Sequence, residues 1–201
     1  MSEFAAFFQM GVRHILNPEA LDHLLFLLAL GAVYRLRDWR DGLKVVTAFT
    51  VGHSITLALA ATGHFPIPAR WIEFLIPITI LVTSVDNLRD WLTAAVPVHR
   101  HRRAVFAGLF GLIHGAGFAD YLKSLFLDRI AVPLVSFNLG IELGQVIVLL
   151  AAGLLFTGVD WSVGRIGVAG ASRFPLRTRV VLISLVTAIA AGRMVLARVP
   201  W

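Results

Sequence analysis

The chain alternates long apolar runs with short polar connections. Six runs stand out, over residues 21–35, 45–62, 71–88, 104–120, 132–157 and 179–197. A helix crosses the hydrocarbon layer with about 20 apolar residues. These runs are continuous, without the period-two alternation of a membrane barrel. The pattern therefore predicts an all-α integral membrane protein, a bundle of about six transmembrane helices, with residues 1–201 as a single polytopic domain. A further apolar stretch, FAAFFQMGVRHIL (4–16), is too short to span. It predicts an additional N-terminal interfacial or re-entrant helix packed on the first crossing. Pro18 suits the first turn of the helix after it, where a missing N–H costs least. No internal repeat is evident. Gly108, Gly111 and Gly115, and then Gly140 and Gly144, fall at spacings that let helices approach closely.

Composition narrows the class. Apolar residues make up 58% of the chain and charged ones 15%, against about a quarter charged in soluble domains. The net charge of +6 sits in the connections. RLRDWRDGLK (35–44) carries three arginines and a lysine, residues 89–103 end in HRHRR, and 158–178 hold Arg165, Arg173 and Arg177. Residues 63–70 hold only Arg70, and 120–131 balance Lys123 and Arg129 against Asp120 and Asp128. Under the positive-inside rule the first, third and fifth connections are cytoplasmic and both termini lie outside. Topology thus accounts for the charge, and nucleic acid is not an expected partner. No cysteine is present, which excludes disulfides, thiolate metal sites and thiol nucleophiles. There is no P-loop. The N-terminus has no basic leader or small-residue cleavage site and reads as mature protein.

Polar residues inside the runs carry the functional signal. Asp22 and His23 open the first run, His53 lies in the second, His114 in the fourth, and Asn138, Glu142 and Gln145 in the fifth. Such groups are costly at membrane depth and usually face each other, a cation or a water path. On the predicted topology His23, His53, His114 and Glu142 come to the outer half or middle of the bilayer, which predicts one shared site. Asn138, Glu142 and Gln145 follow i, i+4, i+7 and share a helix face. Thr50 and Ser54 flank His53 on the second run. Asp22 beside His23 suits a carboxylate that orients a ligating ring. Taken singly, each histidine is equally well explained by a hydrogen bond to a backbone carbonyl. Together, imidazole and carboxylate without thiolate suit a divalent transition-metal ion such as nickel, cobalt or zinc, whereas calcium and magnesium prefer all-oxygen cages. His64, His99 and His101 fall in connections and read as solvated. Asp86 and Asn87 end the third run, either as a solvated helix end or as a cytoplasmic exit lined also by Thr79 and Thr83.

Three blocks then resemble the HupE/UreJ family of bacterial membrane proteins, especially its second, shorter branch. They are GVRHILNPEALDHLLFLLAL (11–30), TAFTVGHSITLALA (47–60), and GLIHGAGFAD (111–120) with FNLGIELGQ (137–145). The resemblance implies a nickel or cobalt permease of a bacterial inner membrane, associated with hydrogenase or urease systems. Carried onto this chain, it implies His14, Asp22, His23, His53, His114 and Glu142 as metal-linked residues. The better-known branch has a His-Pro pair and a Gly ahead of Asp-His, where this chain has Ile15 after the first histidine and Ala20 and Leu21 before Asp22. Two other functions fit the same residues. One is an intramembrane zinc hydrolase, although no His-Glu-x-x-His helix is present. The other is a non-transporting membrane subunit that binds metal or haem. The implied partners are the lipid bilayer, the metal ion, and either a second copy of the chain or a metalloenzyme-assembly protein.

Overall fold

The computed structural model describes residues 2–61, 68–92, 100–125, 130–166 and 174–201. The described residues form seven α-helices and no strand: α1 (Glu3–Leu16), α2 (Leu21–Gly31), α3 (Trp39–Ala61), α4 (Ala69–Leu92), α5 (Arg100–Leu125), α6 (Ala131–Ile166) and α7 (Phe174–Ala197), with a single 3-10 turn (Leu36–Asp38) before α3. Four stretches, Leu36–Ala60, Ala69–Trp91, Ala131–Ser162 and Leu176–Ala197, are long and apolar enough to cross a membrane. Leucines and valines such as Leu154, Leu155, Leu182 and Val186 point outward, while His53, Thr50, Ser84 and Gln145 are buried. Apolar outside and polar inside is the arrangement a bilayer imposes. The protein is an all-α membrane protein.

Several helices run further than their apolar runs predict. α5 begins at Arg100 and α6 continues to Ile166, because charges at these ends are paired across helices. Arg102 meets Asp86 at 3.0 Å and Asp90 at 3.3 Å, and buried Arg103 meets Asp90 at 3.2 Å. Arg179 of α7 pairs with Asp160 of α6 at 2.6 Å. Its guanidinium also donates to the carbonyls of Ala32 and Tyr34, at 3.1 and 2.9 Å, just past α2. Those carbonyls have no partner within a helix.

Pro18 ends α1 instead of opening α2. A residue before proline is disfavoured in the helical region, and Asn17 is extended with φ −67° and ψ 119°. The Asn17 side chain then accepts from the Glu19 N–H at 3.0 Å, and its carbonyl accepts from Ala20. The resulting turn delays α2 to Leu21. α1 and α2 lie in series along α6. Gly140 packs on Phe8, Gly144 on Val12 and Ile15, Gly31 on Leu149, and Gly153 on Leu36. Both numberings rise together, so the chain from α1 through α2 travels in the direction of α6. At about 1.5 Å per residue, the contacts from Phe8 to Leu36 follow about 20 Å of α6, from Gly140 to Gly153.

The most extensive contacts join α3 to α5, α1 to α6 and α4 to α7. Glycine makes the first two possible. A Cβ on Gly52 would overlap the Gly108 carbonyl oxygen, and one on Gly11 would overlap that of Phe137. Backbones at this separation gain dispersion and Cα–H···O contacts that larger residues forbid. α4 and α7 are tied by Ser84 and Thr187, whose hydroxyls lie 2.8 Å apart. Pro77 sits inside α4 and has no N–H for the Glu73 carbonyl four residues earlier. Arg198, past the end of α7, donates to that carbonyl at 3.4 Å.

Candidate metal centre

Four helices bring imidazoles together. His14 lies in the last turn of α1, His23 in the first turn of α2, His53 midway along α3, and His114 midway along α5. One ring nitrogen each from His14, His23 and His53 lie within 4.8 Å of one another. Two nitrogens on opposite sides of a divalent ion are about 4.2 Å apart at a metal–nitrogen distance near 2.1 Å. Small side-chain shifts therefore bring all three onto one ion. The His114 ring stands edge-on to His23, with centroids 5.4 Å apart, and forms the next wall. Phe26 and Phe49 flank His114 at 5.2 and 5.1 Å, and Phe118 covers His14 at 4.2 Å. Phe118 also stacks on Phe137 at 5.2 Å. The cage is polar at its centre and aromatic around it.

Two neighbours fix which nitrogen each ring presents. Asp22 Oδ1 lies 3.0 Å from His23 Nδ1. A carboxylate only accepts, so Nδ1 carries the proton and Nε2 offers its lone pair to the cage. Thr79 donates its single hydroxyl proton to the Ile76 carbonyl at 2.7 Å. Its oxygen, 2.9 Å from His114 Nε2, must then accept from Nε2–H, which leaves His114 Nδ1 as the free lone pair. His14 Nε2, His23 Nε2 and His114 Nδ1 are buried without a hydrogen-bond partner, and the buried His53 ring has Asn138 Oδ1 as its polar neighbour. Buried polar atoms are normally paired. A neutral imidazole has one lone pair, so the convergent set is one nitrogen each from His14, His23 and His53, an arrangement that suits a small cation. A cavity of about 490 Å³ reaches His14 from the protein surface, between α1 and Phe118 of α5.

A family model described as "HupE / UreJ protein" matches residues 1–192 of the chain. The chain belongs to the HupE/UreJ family. No match is found among curated proteins or solved structures. In this HupE/UreJ protein the three sequence blocks meet at the cage: the first supplies His14, Asp22 and His23, the second His53, and the third His114 and Asn138.

The remaining candidate residues lie outside the histidine cluster. Glu142 accepts from Thr47 Oγ1 at 2.7 Å, and Gln145 from Thr50 Oγ1 at 2.8 Å, both on the seam between α3 and α6. Ser54 donates to the Thr50 carbonyl. Asp86 is held by Arg102, while Asn87 donates to the Ala29 carbonyl at 2.7 Å and accepts from Arg103 at 2.7 Å. His64 and His99 lie outside the described residues, as does the side chain of His101. Sequence reasoning passed over the aromatic walls and Arg198, which reaches Asp22 at 3.6 Å. Nothing in a local pattern links residue 198 to residue 22. Thr79, which the sequence places on the lining of a cytoplasmic exit, has its hydroxyl against His114 Nε2 and sets that ring's tautomer.

Proposed function

We propose that this HupE/UreJ protein is a permease for a divalent transition-metal ion, with nickel or cobalt the preferred cargo and zinc a competitor, in a bacterial plasma membrane. The observation that carries this reading is the set of unpaired imidazole nitrogens converging on one space. Neutral nitrogen donors without thiolate suit these borderline ions, and a cation would take one lone pair each from His14, His23 and His53. Asp22 supplies negative charge one bond network away, which offsets part of the ion's charge without occupying its coordination sphere.

The topology proposed with it has six crossings, with α1 and α2 together forming one crossing broken at Asn17–Ala20. Interrupted helices whose breaks flank an ion site are the common solution in secondary transporters. The basic ends of α3, α5 and α7 then face the cytoplasm and both termini face outside. The ion arrives through the cavity at Met10, His14, Asn17 and Phe118, and exchanges water for imidazole in the cage.

Reconstituted protein tests this directly. Wild type should bind about one nickel ion and carry nickel into proteoliposomes, and His23→Ala and His53→Ala should lose both properties. Stoichiometric binding without uptake would sink the permease and leave a fixed site. A wild type that binds no metal would sink both.

A further inference from the structure

The two glycine-knit helix pairs repeat one contact residue for residue. A Cβ on Gly52 would meet the Gly108 carbonyl and the Leu112 nitrogen, and one on Gly11 would meet the Phe137 carbonyl and the Ile141 nitrogen. Gly111 faces the Phe49 carbonyl and the His53 nitrogen, and Gly140 faces the Phe8 carbonyl and the Val12 nitrogen. Gly115 faces the His53 carbonyl, and Gly144 that of Val12. Each position in α1 stands 41 before its counterpart in α3 (11 and 52, 8 and 49, 12 and 53), and each in α6 stands 29 after its counterpart in α5 (137 and 108, 140 and 111, 144 and 115).

The pairs point in opposite directions. Within each, numbering rises together: Phe49 and His53 against Gly111 and Gly115, Phe8 and Val12 against Gly140 and Gly144. Between them it does not. α6 starts six residues after α5 ends, a link that reaches at most about 22 Å, so within one bilayer α6 runs back. Two like units of opposite direction around an ion site form an inverted arrangement, in which one unit moves against the other.

The two seams between the pairs differ. At α1/α5 the cavity at His14 and Phe118 is open. At α3/α6 the seam is closed by Thr47 on Glu142 and Thr50 on Gln145. We propose that α1·α6 and α3·α5 rock as two bodies about the histidine cage, and that the α3/α6 seam is the inward exit, where Glu142, Thr47, Thr50 and Gln145 form a second, transient cation site. This rests on the permease reading. Within each pair, backbone contact leaves no room for sliding, so movement falls to the seams. The seam also suits a departing ion. Its oxygen ligands hold a borderline metal less tightly than imidazole, and Glu142 is its acid. The other polar way out, past Asp86 and Asn87, leads a cation to Arg102 and Arg103, which already occupy those side chains.

The cysteine-free chain permits a direct test. Thr50→Cys with Gln145→Cys is oxidised to bridge the seam, and Ala48→Cys with Gly108→Cys to bridge within α3·α5. The seam bridge should cut nickel uptake into proteoliposomes by at least about tenfold, reversibly on reduction, with nickel affinity at the cage held within about twofold; the bridge within the pair should leave uptake within about twofold. Glu142→Gln should lower uptake by about tenfold with cage affinity unchanged. Uptake that persists through an oxidised seam, or a bridge within the pair that blocks as fully as the seam bridge, would overturn the proposal. So would a Glu142→Gln protein whose affinity and uptake fall together, since that places Glu142 in the cage. Wild type that neither binds nor carries nickel fails the permease reading itself, and is recognised before any bridge is formed.

Discussion

His23 and His114 are aimed by hydrogen bonds from outside the cage, and this gives predictions specific to single atoms. Asp22→Asn keeps an acceptor for His23 Nδ1–H but removes the charge. Partners of this kind are worth about 10- to 100-fold in metal affinity, and a titration of nickel into the purified variant should show a loss in that range with the helical circular dichroism unchanged. Thr79→Val should weaken binding through the His114 tautomer, and Thr79→Ser should restore it; equal affinity in both variants would dismiss the orienting role. Protons compete with metal for the same lone pairs, so affinity should fall as pH drops. The dependence should be shallower in His114→Ala, which keeps the His14, His23 and His53 group and has one site fewer to protonate. His23, His53 and His114 were legible in the sequence because a histidine in an apolar run is conspicuous. His14 entered only through family resemblance, since its helix is short and its ring is recruited by a fold of the chain at Pro18. Glu142 was equally conspicuous, yet it bonds to Thr47 at the seam. Depth along a helix gave its level, while the face it presents depended on how α3 crosses α6.

At the scale of helices, backbone contact decides more than side-chain hydrogen bonds do. A bond such as Ser84 to Thr187 contributes about 0.6 kcal/mol between membrane helices. A methyl forced against a carbonyl costs about 1–3 kcal/mol. Gly111→Ala and Gly140→Ala should each destabilise the bundle by at least about 2 kcal/mol in a reversible detergent-unfolding titration. Gly158→Ala, with open space around it, should be neutral or stabilise by up to about 1 kcal/mol through helix propensity. Similar losses at all three positions would mean that the glycines serve flexibility and not approach. The glycine spacing was visible in the sequence, but which helices it joined was not, because a small-residue stripe carries no partner's address. The same limit hid the repeated contact: Gly11 aligns with Gly52 and Gly140 with Gly111, amid neighbours too different to register as a repeat. Helix ends were misjudged for another reason. Arg102, Arg103 and Asp160 read as loop charges, and pairing across helices keeps them wound.

For the whole molecule, the apolar runs already announced an all-α membrane protein, because the bilayer leaves the backbone few alternatives. What hydropathy did not reveal is how the first 31 residues travel. An apolar stretch of 13 residues fails any length test for a crossing of about 30 Å, yet α1 and α2 follow one another along α6. A broken crossing and a helix lying flat differ in depth along α1. Single cysteines at Phe4 and Leu16, both exposed on the bundle surface, can carry spin labels in the otherwise cysteine-free chain. A broken crossing places Phe4→Cys near the headgroups and Leu16→Cys near the bilayer centre. Oxygen should then relax the second label more strongly than the first, and a water-soluble chromium reagent should do the reverse. A chromium complex is preferable to nickel here, because nickel is the expected cargo. A helix flat on the surface puts both labels at one depth, and equal accessibilities would return α1 to the interface. In that case α2 alone would have to bring His23 to the cage, and its 11 residues reach only about half-way across.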